Sequence, residues 1–109
     1  MTDLVHLSGA EQARLIRQRT ISPVELVRAS LDRIDRYDGR LRAWITVDPD
    51  RALAAARRAE AEIGRGEPRG PLHGLPYGVK DQIHALGFPT TLGTRVLDPH
   101  ETVAPATRR

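Results

Sequence analysis

The sequence predicts an α/β chain that is incomplete as a stand-alone domain: N-terminal helices, then a single strand around residue 80. Three observations predict it. Helix-opening signals recur at Ser8, Ser22 and Asp48, with apolar positions at helical spacing behind them. A linker with four glycines and two prolines spans 64–74. Beyond it the texture changes to the alternation of a strand. A lone strand satisfies none of its own backbone groups laterally, so it calls for partner strands that this chain does not obviously supply.

The elements follow in order. Ser8 with Glu11 has capping-box spacing, a hydroxyl for an orphan N–H and a carboxylate three residues on to reach back. It opens a helix over about 9–19. Ser22-Pro23-Val24-Glu25 repeats the signal more strongly, because Pro23 fits the first turn. Val24, Val27, Leu31 and Ile34 then share one face, and Gly39 is the expected stop. Leu41, Ala43, Ile45 and Val47 alternate with Arg42, Trp44 and Thr46, which reads as a strand or an extended segment. Asp48-Pro49-Asp50 opens an alanine-rich third helix to about Ile63, with Gly64 as its end. The helical part is thus about 8–64 and the linker 64–74. The segment from Leu75 to Ile83 reads as a strand with Pro76 at its beginning, inside a strand-and-loop stretch of 75–97. Residues 84–94 are turn-rich, and 98–109 form a divergent tail in which Pro99 and Pro105 break any helix.

Composition excludes several classes. At 109 residues the length suits one small domain with a modest core. Without cysteine there is no disulfide framework and no cysteine-based zinc or redox site. No apolar run approaches the roughly 20 residues that span a membrane, and the first residues lack the pattern of a signal peptide, so a cytoplasmic location is expected. The net charge of +3 gives a high pI of about 10.2 because every basic residue except Lys80 is arginine, which hardly titrates. These arginines are interleaved with acids and only four aromatics are present, which favours a solvated mixed-charge surface over nucleic-acid binding. Asp32 and Asp35 sit among Arg28, Arg33 and Arg36 and read as a salt-bridged face rather than an acid/base pair. His6, His73, His84 and His100 show no metal-ligand spacing, so no metal is expected. The glycines of 64–78 lack the Gly-Lys-Ser/Thr ending of a phosphate loop.

Lys80 carries the chemistry. Strand alternation places it with Pro76 and Gly78 on a small, nonpolar face. A lysine desolvated there has its charged form disfavoured, and a neutral lysine accepts a proton as a general base must. The alternative is an ordinary solvated lysine.

The run Gly70-Pro71-Leu72-His73-Gly74-Leu75-Pro76-Tyr77-Gly78-Val79-Lys80-Asp81 closely resembles the lysine segment of the amidase signature family. The resemblance continues through Gly87-Phe88-Pro89-Thr90-Thr91-Leu92-Gly93 and back through Ser22 to Leu26, Leu31 to Ile34 and Leu41 to Val47, so that about 7–97 is covered. It implies a mixed central sheet covered by helices, of which this chain would hold peripheral helices and the first strand. It implies hydrolysis of carboxamide C–N bonds on a small-molecule amide, with no metal and no organic cofactor. In the family a lysine takes a proton from a bridging serine in a cis peptide, which takes one from the nucleophilic serine. An acyl-enzyme then forms and water cleaves it. The resemblance assigns the catalytic lysine to Lys80, and His73 is expected to shape the loop before it.

The family's serines and oxyanion hole lie downstream, in a Gly-Ser-rich stretch. Here Ser8 and Ser22 stand at cap positions and Ser30 within a helix; Ser8 has a glycine on one side only and the other two have none, unlike the Gly-flanked serine of a nucleophile's tight turn. The isolated chain is therefore expected to be inactive, and a truncation or frame shift near residue 98 is expected from the divergent tail. Two other readings stay open. One is the glutamine-hydrolysing component of a tRNA-dependent amidotransferase, its A subunit, in which ammonia from glutamine amidates a mischarged tRNA. Against it stand Gln82 in place of an expected asparagine, and Leu92-Gly93-Thr94 in place of Cys-Ala-Ser. The other is a non-catalytic helical module whose exposed apolar faces bind partners or self-associate.

Overall fold

The computed structural model describes residues 3–96 and divides the chain into two compact units, Met1–Pro76 and Tyr77–Arg109. Among the described residues the first unit holds all the regular structure: a 3-10 turn at Leu4–His6 and three α-helices, α1 (Gly9–Arg17), α2 (Pro23–Leu41) and α3 (Pro49–Gly64).

Each helix begins where a side chain relieves its orphan amides. The Ser8 hydroxyl accepts the Glu11 N–H at 3.1 Å to open α1. The reciprocal half of this box is replaced: the Glu11 carboxylate turns to the Arg14 guanidinium, which lowers the Glu11 pKa and raises that of Arg14 through their shared hydrogen bonds. At α2 the box is complete. The Glu25 N–H donates to Ser22 Oγ at 3.0 Å and the Ser22 N–H to Glu25 Oε2 at 2.8 Å, with Pro23 in the first turn. Asp48 opens α3 by accepting the Arg51 N–H at 3.1 Å.

Two ends differ from the spacing's expectation. Helix α1 stops at Arg17 rather than about residue 19, because Arg19 takes a left-handed conformation, φ 58°. Its guanidinium then donates to the carbonyls of Ile63 and Gly64, at 3.3 and 3.1 Å. A cation there satisfies the last acceptors of α3 and opposes its dipole. Helix α2 runs through Gly39 to Leu41. The stop is made by Arg42 in the left-handed region (φ 49°, ψ 45°) and by the Asp38 carboxylate, which accepts the N–H groups of Ala43 at 2.7 Å and Trp44 at 3.1 Å. An acceptor one turn back ends a helix as firmly as a glycine does, while Gly39 inside it costs about 1 kcal/mol relative to alanine.

The core lies between α2 and α3. Val24, Val27 and Ala56 are buried together, with Leu31, Ala52 and Leu53 packed against them. The alanine stripe Ala52, Ala56 and Ala59 is thus packing surface that lets the helices approach closely. Leu26, Ala13 and Ile16 are also buried. The expected salt-bridged face is not built from Asp32 and Asp35. Arg33 instead reaches Asp3 at 3.4 Å, and Arg33 and Arg36 both lie over the Tyr37 ring.

No strand occurs among the described residues: the expected strand at 75–83 is not formed there, and the expected α/β character is not confirmed. The alternating segment 41–47 likewise forms no strand and is exposed. The physical reason is the want of a partner. Alternation makes a segment fit for a sheet, but a strand exists only where another backbone accepts its hydrogen bonds. The tail 98–109 lies outside the described residues. Among those described, no helix is long and apolar enough to cross a membrane.

The two helical serines make a direct comparison. Ser22→Ala removes half of the complete capping box and is expected to cost about 1 kcal/mol, read as a lower urea midpoint at unchanged slope. Ser30, whose hydroxyl only back-bonds the Leu26 carbonyl at 3.0 Å, is expected to cost no more than about 0.5 kcal/mol as Ser30→Ala.

Candidate functional site

The glycine-rich segment is fixed to the helices at His73 and Gly74. Gly74 has φ +92°, and a Cβ there would stand 2.9 Å from Pro23 Cγ and 3.3 Å from Ile63 Cδ1. Only glycine gives both the backbone angle and the close approach to the start of α2 and the end of α3. The His73 side chain is 9% exposed. Its Nδ1 accepts the Arg69 N–H at 3.0 Å, which leaves the proton of the neutral ring on Nε2. That nitrogen stands 2.9 Å from Glu62 Oε2, and Arg69 Nη2 stands 2.8 Å from the same oxygen. Neither approach is aligned as a hydrogen bond, so the contact is one of opposite charge and dipole at close range. His73 thus shapes the loop, through a main-chain amide and a glutamate on α3 that spacing alone does not single out. Turns from His73 N–H to the Gly70 carbonyl and from Leu75 N–H to the Leu72 carbonyl carry the chain onward.

Lys80 belongs to the second unit and is exposed. The buried nonpolar face expected from strand alternation is not formed among the described residues. The backbone around it is nevertheless held. The Lys80 carbonyl accepts the Ile83 N–H at 2.9 Å, and the Asp81 carbonyl accepts the Leu92 N–H at 3.3 Å. The Asp81 carboxylate binds three donors: the Thr91 N–H at 2.8 Å, the Thr91 hydroxyl, and the Gly93 N–H at 3.0 Å. Thr91 Oγ1 in turn accepts from the Gly93 N–H at 3.1 Å. Leu92 sits between them with φ 53°, a strained angle for a side-chain residue that the converging bonds enforce. The Asp81 pKa is lowered, first by the Thr91 hydroxyl and then by the Thr91 amide, because all these donors favour the charged carboxylate.

The rest of the expected constellation is placed as follows. Ser8, Ser22 and Ser30 all belong to Met1–Pro76, with their hydroxyls engaged within the helical elements. None shares a unit with Lys80. His6 faces Asp3 at 3.6 Å, His84 is exposed, and His100 lies outside the described residues. No cluster of three or more metal-ligating side chains occurs among the described residues. The second unit offers one amine on a clamped backbone, and the described serines belong to the first.

The clamp carries a pH signature. A carboxyl whose pKa is depressed on folding contributes above its unfolded value, about 3.9. Its contribution is lost as pH falls through the lower folded value. The amide resonances of Thr91 and Gly93 are therefore expected to move with a midpoint below that of an ordinary aspartate, as followed in proton–nitrogen correlation spectra; a midpoint at or above it would count against the clamp.

Comparison with known proteins identifies the family. The family model described as Amidase matches residues 25–108, most of the chain and all of the segment from Gly70 to Gly93. The A subunit of the glutamyl-tRNA(Gln) amidotransferase from Salinispora arenicola (strain CNS-205) is 47% identical over 97 residues, which is 89% of this chain and 20% of that protein. Its namesake from Anaeromyxobacter sp. (strain K) is 46% identical over 96 residues, 88% of this chain and 20% of that protein. A putative amidase AmiD from Mycobacterium tuberculosis (strain ATCC 25618 / H37Rv) is 44% identical over 90 residues, 83% of this chain and 19% of that protein. The chain spans about a fifth of the length of the curated relatives it matches. With the family model covering residues 25–108, the chain belongs to the Amidase family.

Proposed function

We propose that this chain supplies the lysine of an amidase-type reaction that breaks carboxamide C–N bonds, with Lys80 as the general base. The observation that carries the proposal is the family match over 25–108, which includes Gly70–Asp81, the run that resembles the family's lysine segment and holds the chain's one lysine. In its neutral form Lys80 Nζ accepts a proton from a bridging serine, and that serine accepts one from the nucleophilic serine. The nucleophile attacks the amide carbonyl, the amine leaves with a proton, and water releases the acid from the acyl-enzyme. Both serines and the oxyanion donors come from outside the described residues. We place the reaction in the cytoplasm, a setting with which the cysteine-free composition agrees.

A second reading is favoured by one observation, the 47% identity to the amidotransferase component from Salinispora arenicola. The reaction class is shared, since glutamine also carries a carboxamide. Gln82 and the run Leu92-Gly93-Thr94 favour a simple amidase.

The test is a fusion in which residues 1–97 replace the matched segment of the mycobacterial AmiD. Ammonia release from simple carboxamides is the expected activity, and release from glutamine alone would favour the second reading. Lys80→Ala in the fusion is expected to lower the rate by roughly 10³-fold or more. An undiminished rate would remove Lys80 from the chemistry. The 109-residue chain itself is expected to show no covalent labelling by a fluorophosphonate; stoichiometric labelling of one serine would give it a nucleophile of its own.

A further inference from the structure

We infer that Asp81 is a positioning residue for Lys80: by clamping residues 91–93 it fixes the backbone from which the lysine side chain springs. This rests on the reading of Lys80 as the base. The inference comes from the convergence of bonds on two successive residues, Lys80 and Asp81. Lysine reaches its target through a flexible four-carbon stem, so only its backbone can be held in advance. Here the Lys80 carbonyl is taken by the Ile83 N–H, and the Asp81 carbonyl by the Leu92 N–H. The Asp81 carboxylate is taken by Thr91 twice and by Gly93. Residue 80 is thus held through its carbonyl by the turn, and residue 81 through its carbonyl and its side chain by a chain segment about ten residues further on. Three donors on one carboxylate also explain why Leu92 accepts a left-handed backbone, since relaxing it would pull Thr91 and Gly93 off their shared acceptor. The ionised form of Asp81 makes these bonds as acceptor only, so an amide side chain would present an N–H₂ where one donor now points. Charge, not shape alone, holds the clamp.

The experiment uses the nitrogen-15-labelled 109-residue chain and reads backbone order residue by residue. In the unmodified chain Lys80, Thr91 and Gly93 are expected to show order parameters near those of rigid backbone, about 0.85. Asp81→Ala is expected to lower all three below about 0.6, while amides of α2 and α3 stay unchanged as the control for folding. Thr91→Val, which keeps the amide and loses the hydroxyl, is expected to give an intermediate loss at Lys80, and Thr91→Ser to restore it. A purely local loop staple would loosen 91–93 and leave Lys80 rigid in Asp81→Ala. That outcome, or a Lys80 already mobile in the unmodified chain, would overturn the inference. The readout does not depend on catalysis. A Lys80→Ala fusion with full activity would sink the proposed function and leave the clamp standing.

Discussion

The seam between α2 and α3 is the constraint on which the first unit depends. Val24 and Val27 can be buried only because Ala56 opposes them with a side chain small enough to let the two helices close. That seam fixes where α2 begins relative to where α3 ends, and both ends are then used. Pro23, already buried as the first residue of α2, becomes one wall of the slot that receives Gly74. Ile63, at the far end of α3, becomes the other. Arg19 binds the terminal carbonyls of the same helix, so the close of α3 is held from two directions. A larger residue at position 56 would part the helices and move both walls of that slot. The anchoring of the glycine-rich segment is therefore a consequence of core packing, not an independent feature of the loop.

The core is small for the apolar surface the chain carries. Trp44, Ile45, Leu72, Tyr77, Ile83 and Val96 are all exposed. Scattered apolar residues on a surface are ordinary, but four of these fall in the two segments whose alternation suits a sheet, 41–47 and 75–83. The same property that makes them apt for strand pairing makes them costly to leave in water. Their sequences are consistent with burial against further backbone, whereas the helices find their partners within the described residues.

What can be read from the sequence divides along that line. Capping at Ser8, Ser22 and Asp48, the buried face of α2 and the end of α3 at Gly64 are local or nearest-neighbour effects, so residue types a few positions apart carry them. The ends of α1 and α2, which depart from the spacing, share a cause. Arg19 and Arg42 adopt left-handed angles usually left to glycine, stabilised by acceptors on another helix in one case and by Asp38 in the other. The strand expected at 75–83 is not formed among the described residues for the complementary reason, since its pattern describes a fitness for pairing that needs a partner. At the site, Lys80 and His73 stand out because a long motif surrounds them. Asp81 does not stand apart from that motif, because its donors sit ten and twelve residues away in a turn-rich stretch with no periodicity.

A base needs two things from its protein: a fixed place and a changed solvation. The described residues supply the first at Lys80 and not the second. Lys80 is exposed, and Tyr77 and Val79 beside it are themselves exposed. On the proposed role of Lys80, desolvation is what the described residues leave to be supplied, and the apolar side chains flanking it are the surface that covering groups would bury. Fixing the backbone first has a thermodynamic advantage in that arrangement. A segment already clamped by Asp81 loses less conformational freedom when it is covered, so more of the binding free energy remains to desolvate the amine. If Lys80 is the base proposed above, the charged clamp and the exposed apolar flank serve the same end: the first holds the lysine's backbone, and the second is apolar surface open to cover.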